Sequence, residues 1–163
     1  MPQAPRRQRG GYFAPGDGAP SPLIARLKYR VRFSDVDPMA VLWHGRYPKL
    51  FEQASEELGR SCGMGYADFH RQRLRAPIVQ LHLDYFAPIV LGEEVAIAAK
   101  MVWCEGARIN TEFEINKETG VQAAAGYTVQ MLIDESGEPL LASPPLLEAC
   151  RARWRAGDFR GMQ

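Results

Sequence analysis

What this sequence has little of narrows it first. Among 163 residues there are three histidines and three cysteines, and Cys62, Cys104 and Cys150 stand far apart. An odd set cannot pair completely, and no Cys-x-x-Cys or Cys/His cluster has the spacing of a zinc site. Free thiols, buried or half-buried, are the expectation, in a reducing compartment. Charge of one sign is missing too: 20 basic residues face 19 acidic ones, for a net charge of +1. Nothing global therefore attracts nucleic acid or an anionic membrane. No apolar run approaches the roughly 18 residues of a membrane span. Arg6, Arg7 and Arg9 are followed by Gly and Pro where a signal peptide would carry its apolar segment. The expected location is cytoplasmic, with no cofactor and no metal.

What is present is a core-forming composition, 46% hydrophobic, on a length that suits one domain. Residues 1 to about 22 are the exception. They are rich in Gly, Pro, Arg and Gln, with Tyr12–Phe13–Ala14 as the one apolar cluster. Such a segment buries too little to offset its ordering entropy, which predicts a disordered tail. The expected domain runs over 23–143, with a helical extension over 144–163 marked by Leu146, Leu147, Cys150 and Trp154.

Within the domain, Leu27, Tyr29, Val31 and Phe33 alternate with Lys28, Arg30 and Arg32, the period of a strand with one buried face. A polar turn follows, Ser34-Asp-Val-Asp-Pro38, and then the apolar run Met39–Trp43. From Tyr47 the period becomes helical, with Leu50, Phe51, Ala54 and Leu58 on the same stripe. Pro48 restricts the helix start to about His44–Tyr47, since proline is tolerated only in a first turn. The end falls near Gly59–Gly63, and a short helical piece is predicted over Tyr66–Arg73. Four alternating stretches come next: Val79–Tyr85, Val95–Trp103, Ile109–Ile115 and Val121–Ile133. The last is read as one stripe of Val121, Ala123, Ala125, Tyr127, Val129, Met131 and Ile133. A strand, a long helix and then a run of strands indicate an α+β domain, with about five antiparallel strands against one helix.

One stretch goes further. Phe33-Ser-Asp-Val-Asp-Pro-Met-Ala-Val-Leu-Trp-His-Gly-Arg-Tyr-Pro-Lys-Leu-Phe-Glu52 resembles the signature of the 4-hydroxybenzoyl-CoA thioesterase family. The matching elements are Asp35-Val-Asp37, Val41-Leu-Trp43 and His44-Gly-Arg-Tyr47, in the strand–turn–helix context that makes a motif specific. The resemblance covers about residues 25–140 and is strongest over 29–58. It implies a hotdog fold, in which the sheet wraps the long helix, and hydrolysis of an acyl or aroyl thioester of coenzyme A or acyl carrier protein. It also implies at least a homodimer, or a homotetramer, with the site between paired subunits.

By the same resemblance, Asp37 is the nucleophile or general base. An aspartate, with a reference pKa of about 3.9, is ionised near neutrality and needs no prior activation. The backbone N–H groups at His44 and Gly45, at the positive end of the helix, would polarise the thioester carbonyl. The His44 side chain is a candidate catalytic helper, and Trp43, Gly45 and Tyr47 are candidate substrate-binding residues. Asp35 is read as a turn-holding residue, Glu52 as a solvated helix-face carboxylate, and His70 and His82 as ordinary surface or cleft residues.

The chain departs from the pattern at three points. Met39–Ala40 stands where glycine is common, and alanine lacks glycine's freedom at positive φ. Arg46 replaces a common Asn and could reach a phosphate or the solvent. The turn Trp103-Cys-Glu-Gly-Ala-Arg108 offers one base where some relatives gather several around the CoA nucleotide. Met39–Ala40 and the turn with a single base motivate an alternative: a binding or scaffold protein on the same fold that holds an acyl thioester without cleaving it. A hotdog dehydratase is a third reading, disfavoured because that group's signature is missing.

Overall fold

The computed structural model describes residues 11–162. Strand β1, Leu23–Arg30, leads through a turn into α1, Tyr47–Cys62, and a short helix α2, Tyr66–Arg71. Four strands follow: β2 (Ile78–Tyr85), β3 (Glu94–Val102), β4 (Arg108–Lys117) and β5 (Gln122–Met131). The chain closes with α3, Pro145–Ala156. All strand pairs are antiparallel, in the order β1-β3-β4-β5-β2. This is the expected α+β hotdog arrangement, five strands against one long helix.

The helix forms where its stripe requires. Tyr47, Leu50, Phe51, Ala54 and Leu58 are all buried, Pro48 sits in the first turn, and Gly63 ends α1 at φ +77°, a left-handed cap that suits glycine. The Phe51 ring stacks on Phe113 of β4, with centroids 4.3 Å apart and planes 7° from parallel. Val95, Ile97, Ala99 and Met101 of β3, and Ile109, Thr111, Phe113 and Ile115 of β4, are buried as their alternation predicts.

Three expectations need correction. The first strand is displaced toward the N-terminus: it ends at Arg30, a 3₁₀ turn takes Phe33–Asp35, and Phe33 is 84% exposed. On β5 the helix-facing residues are Ala124, Gly126, Thr128 and Gln130, paired with Ile115, Phe113, Thr111 and Ile109. A register shift beside Ala123 reverses the face, so Ala125, Tyr127, Val129 and Met131 point outward. Strand β2 has no buried face in this chain. As the edge strand it leaves Ile78 54% and Tyr85 52% exposed.

The outer face of the sheet is partly covered by residues just before β1. Tyr12 donates to Asp84 at 2.6 Å and the Phe13 N–H donates to Glu112 at 2.8 Å, while both rings pack on Tyr127. Residues 1–10 of the expected tail lie outside the described residues. Helix α3 packs Trp154 edge-on against Trp103, and Arg151, 5% exposed, donates to the Cys104 and Gly106 carbonyls of the β3–β4 turn. The thiols are free: Cys62 and Cys150 are buried and Cys104 is half-buried.

Candidate active site

The turn between β1 and α1 is built around two carboxylates with opposite surroundings. Asp35 is buried and fully engaged. Its Oδ2 accepts the Tyr29 hydroxyl at 2.7 Å and the Arg32 N–H at 2.8 Å, and its carbonyl accepts the Trp43 N–H at 2.9 Å. Burial alone would raise the Asp35 carboxyl, but the Tyr29 and Arg32 hydrogen bonds and the Arg46 charge outweigh it and hold the group below the usual carboxylate range. Asp35 therefore fixes the turn, as expected for its position. Arg46 braces the same turn, donating to the Ser34 carbonyl at 2.6 Å and approaching Asp35 at 3.9 Å.

Among the described residues Asp37 is held by one carboxylate oxygen. Its Oδ1 accepts the N–H groups of Met39 at 2.8 Å and Val41 at 3.2 Å, a side-chain turn of the Asx kind. The backbone closes the same loop, Ala40 N–H to Asp37 carbonyl at 2.9 Å and Asp37 N–H to Val41 carbonyl at 2.9 Å. Ala40 takes φ +61°, so the loop keeps the left-handed turn that glycine would adopt freely. Two further bonds stitch it to the connection between β2 and β3, Leu42 N–H to Ile89 carbonyl at 2.7 Å and Leu91 N–H to Ala40 carbonyl at 3.0 Å.

Asp37 opens onto a cleft of about 380 Å³ that also takes in His44, Tyr47, Tyr85 and Phe86. Three residues singled out in the sequence thus meet there. Trp43 and Gly45 are not on its wall. The Trp43 indole lies against His44, centroids 5.0 Å apart, and folds over Gly45 so closely that a Cβ there would meet the ring at 2.3 Å. Glycine is what lets the indole settle on the backbone. Residues His44–Arg46 form a 3₁₀ turn leading into α1. Among the described residues the N–H groups of His44 and Gly45 have no backbone acceptor, as at any helix start.

Sequence reasoning missed Tyr85. Its hydroxyl donates to the His44 carbonyl at 3.2 Å, and its ring meets Tyr47 edge-on at 4.9 Å. Burial, with Tyr85 beside it, pushes the Tyr47 phenol up to about 12, so it stays protonated across the working range. The Tyr85-Phe-Ala-Pro88 step was visible, yet nothing local tied it to a turn 41 residues earlier. His70 lies at another, larger cavity, and His82 sits on the outer face, 2.9 Å from Asp84.

Comparison with known proteins places the chain in a family. The model of the thioesterase-like superfamily matches residues 31–152. A Synechocystis protein named "Putative esterase" is 31% identical over 124 residues, 75% of each chain. The solved DHNA-CoA thioesterase of Staphylococcus aureus superposes with a TM-score of 0.74 at 25% identity, covering 85% of this chain and 95% of that one. A 1,4-dihydroxy-2-naphthoyl-CoA thioesterase from Synechocystis shares the fold, with a TM-score of 0.71 at 17% identity over 79% of this chain and 96% of its own. The chain belongs to the thioesterase-like superfamily, and by class it is a thioester hydrolase. Among the described residues no helix is long and apolar enough to cross a membrane.

Proposed function

We propose that this protein hydrolyses an acyl or aroyl thioester of coenzyme A or acyl carrier protein, with Asp37 as nucleophile or general base. The observation that carries this reading is the half-tied carboxylate. Two backbone N–H groups hold Oδ1 of Asp37, no described group bonds Oδ2, and the cleft it faces begins at the start of α1. A carbonyl set against the N–H groups of His44 and Gly45 is polarised by unpaired donors at the positive end of the helix. As a base, Asp37 takes a proton from water, whose oxygen adds to the carbonyl carbon. The C–S bond then breaks, and the thiol leaves with the proton. The CoA thioesterases among similar solved structures support CoA as one carrier.

In the same reading two copies pair through β2, which is the edge strand among the described residues and whose apolar side chains stand half exposed. Light scattering is expected to give a dimer or tetramer, and an active monomer would contradict the pairing. For the chemistry, Asp37→Asn keeps the fold and loses at least about a hundred-fold in turnover of a thioester panel followed by thiol trapping. Wild-type turnover in that variant would sink the assignment. His44→Ala reports on the imidazole: an unchanged pH–rate profile would leave only its backbone in the mechanism.

A further inference from the structure

The start of α1 is held from outside the helix. Pro48 stands in the first turn and has no N–H, so the His44 carbonyl receives no bond from the residue four places on. Neither the 3₁₀ turn His44–Arg46 nor α1 has a side-chain hydrogen bond at its N-cap. The hydroxyl of Tyr85 donates to that carbonyl instead, at 3.2 Å, across 41 positions of sequence. Its ring is set by an edge-on contact with the buried Tyr47, centroids 4.9 Å apart. Partial burial pushes the Tyr85 phenol above its ordinary value, so it keeps its proton, and stays a donor, across the neutral range.

The His44 carbonyl belongs to the same peptide unit as the N–H of Gly45. That unit is planar and trans, with its oxygen and hydrogen on opposite sides of the C–N bond, so whatever fixes the oxygen fixes the direction of the N–H. Glycine needs such a hold more than other residues do, because its backbone is the freest. The Trp43 indole closes the space on one side of Gly45, and Tyr85 ties the peptide from the end of β2. A hydrogen bond accepted by the oxygen also polarises the amide and strengthens its N–H as a donor, by roughly 10–30% per bond. Among the described residues the Gly45 N–H has no backbone acceptor. The hold therefore leaves a directed donor that no described carbonyl meets.

We propose that Tyr85 is a positioning residue for thioester hydrolysis: through the His44 carbonyl, its hydroxyl aims the Gly45 N–H at the oxygen that turns negative as the carbonyl carbon is attacked. This rests on the reading of Asp37 and the α1 start given above. No bond to Tyr85 forms or breaks, and the hydroxyl keeps its proton throughout. The effect grows with the charge on the oxygen, so it falls on the transition state and not on the bound thioester.

Tyr85→Phe tests it by keeping the ring against Tyr47 and removing the hydroxyl. The substrate is whichever of benzoyl-CoA and decanoyl-CoA the wild type turns over faster. On it kcat is expected to fall about ten-fold at a KM within about two-fold of wild type. That loss is smaller than the roughly 10²–10³-fold for deleting an oxyanion donor outright. A trifluoromethyl ketone analogue with the same acyl group, bound as its tetrahedral adduct, is expected to lose about ten-fold in affinity, and the inert thioether none. A raised KM at unchanged kcat would overturn the proposal, since the hydroxyl would then be a substrate contact. So would unchanged kcat and unchanged analogue affinity, which leave the bond purely structural. Loss of the alkaline limb of the pH–rate profile in Tyr85→Phe overturns it as well, by making the phenol a proton donor. Should that variant fail to fold, a fluorinated tyrosine at position 85 keeps the side chain and ionises nearer neutrality. Its kcat is then expected to fall at constant KM as the phenol ionises, and a response like that of wild type overturns the proposal. The two readings fail separately. Wild-type turnover in Asp37→Asn sinks the catalytic carboxylate and leaves the kcat of Tyr85→Phe readable, whereas an inactive Asp37→Asn beside a fully active Tyr85→Phe sinks only the positioning role.

Discussion

The two halves of the sheet obey different rules. Under α1, strands β3 and β4 bury every residue on the helix side from Val95 to Ala99 and from Ile109 to Ile115, and β1 buries Leu23 and Ala25. Beyond it, β5 presents Ala124, Gly126, Thr128 and Gln130 to that side, and β2 leaves Ile78, Val79, Leu81 and Tyr85 about half exposed. The difference lies in reach. One helix about 10–12 Å across covers only two or three strands spaced about 4.8 Å apart, so apolar side chains on the remaining strands suit a cover that the described residues do not supply. Small residues on β5 mark the seam, where Phe51 presses against the Gly126 backbone.

The sharpest way to break this comparison is to truncate one large side chain in each half. Phe113→Ala removes the ring stacked on Phe51 and is expected to cost about 3–5 kcal/mol in urea unfolding. Leu81→Ala, at a concentration low enough to separate subunits, is expected to cost under about 1 kcal/mol, rising with protein concentration as pairing covers the residue. Equal costs at all concentrations would erase the distinction between the halves. At the seam, a Cβ at Gly126 would meet the His82 carbonyl at 2.1 Å and the Phe51 ring at 2.9 Å. Gly126→Ala is therefore expected to cost about 1–3 kcal/mol and to speed amide exchange in β2 more than in β1.

The covered half is also the half that could be read from the sequence. Alternation reports burial by the same chain, so β3, β4 and the α1 stripe stood out, with Pro48 and Gly63 marking the helix ends. Strand β5 misled because apolar residues occupy both of its faces and one bulge beside Ala123 exchanges them. Phe33 misled because alternation continued past Arg30, where Asp35 captures the Arg32 N–H and turns the chain into a 3₁₀ helix. At the candidate site, the meeting of Asp37, His44 and Tyr47 at one cleft was legible because they lie on one contiguous stretch. Tyr85 was not, since only the sheet brings it there. Arg46 looked free for phosphate, but Ser34 and Asp35 occupy it. The C-terminal helix could be recognised, whereas the grip of Arg151 on the β3–β4 turn depends on two carbonyls that no side-chain pattern encodes.

The turn carrying the candidate site hangs from β1 in the covered half and opens toward Tyr85 in the other, so its own stability can be probed apart from either core. Asp35→Ala strands the Tyr29 hydroxyl and the Arg32 N–H, at an expected cost of about 1–3 kcal/mol. The pH dependence has a definite sign. The Asp35 carboxyl lies below its usual value in the fold, so the stabilisation is complete above the unfolded value near pH 4 and is lost as pH falls through the folded one. The variant should therefore lack that part of the acid-side loss, as seen in melting temperatures between about pH 5 and pH 2. Parallel acid profiles for both proteins would show that Asp35 contributes no linkage.

A small gain is expected at Ala40, and it separates strain in the loop from its function. A side chain at φ +61° crowds its own backbone, at roughly 1–2 kcal/mol for a non-glycine residue. Glycine removes that cost but gives the unfolded chain more freedom, which takes back roughly 0.5–1 kcal/mol. Ala40→Gly should therefore stabilise by about 0.5–1 kcal/mol net, read as a shift in the urea midpoint with unchanged slope. The loop is tied through Asp37 Oδ1 and the Leu91–Ala40 bond, neither of which uses the Ala40 side chain. Turnover should accordingly stay at the wild-type level. A more stable but slower enzyme would mean that the alanine, and not these hydrogen bonds alone, keeps the carboxylate aimed into the cleft.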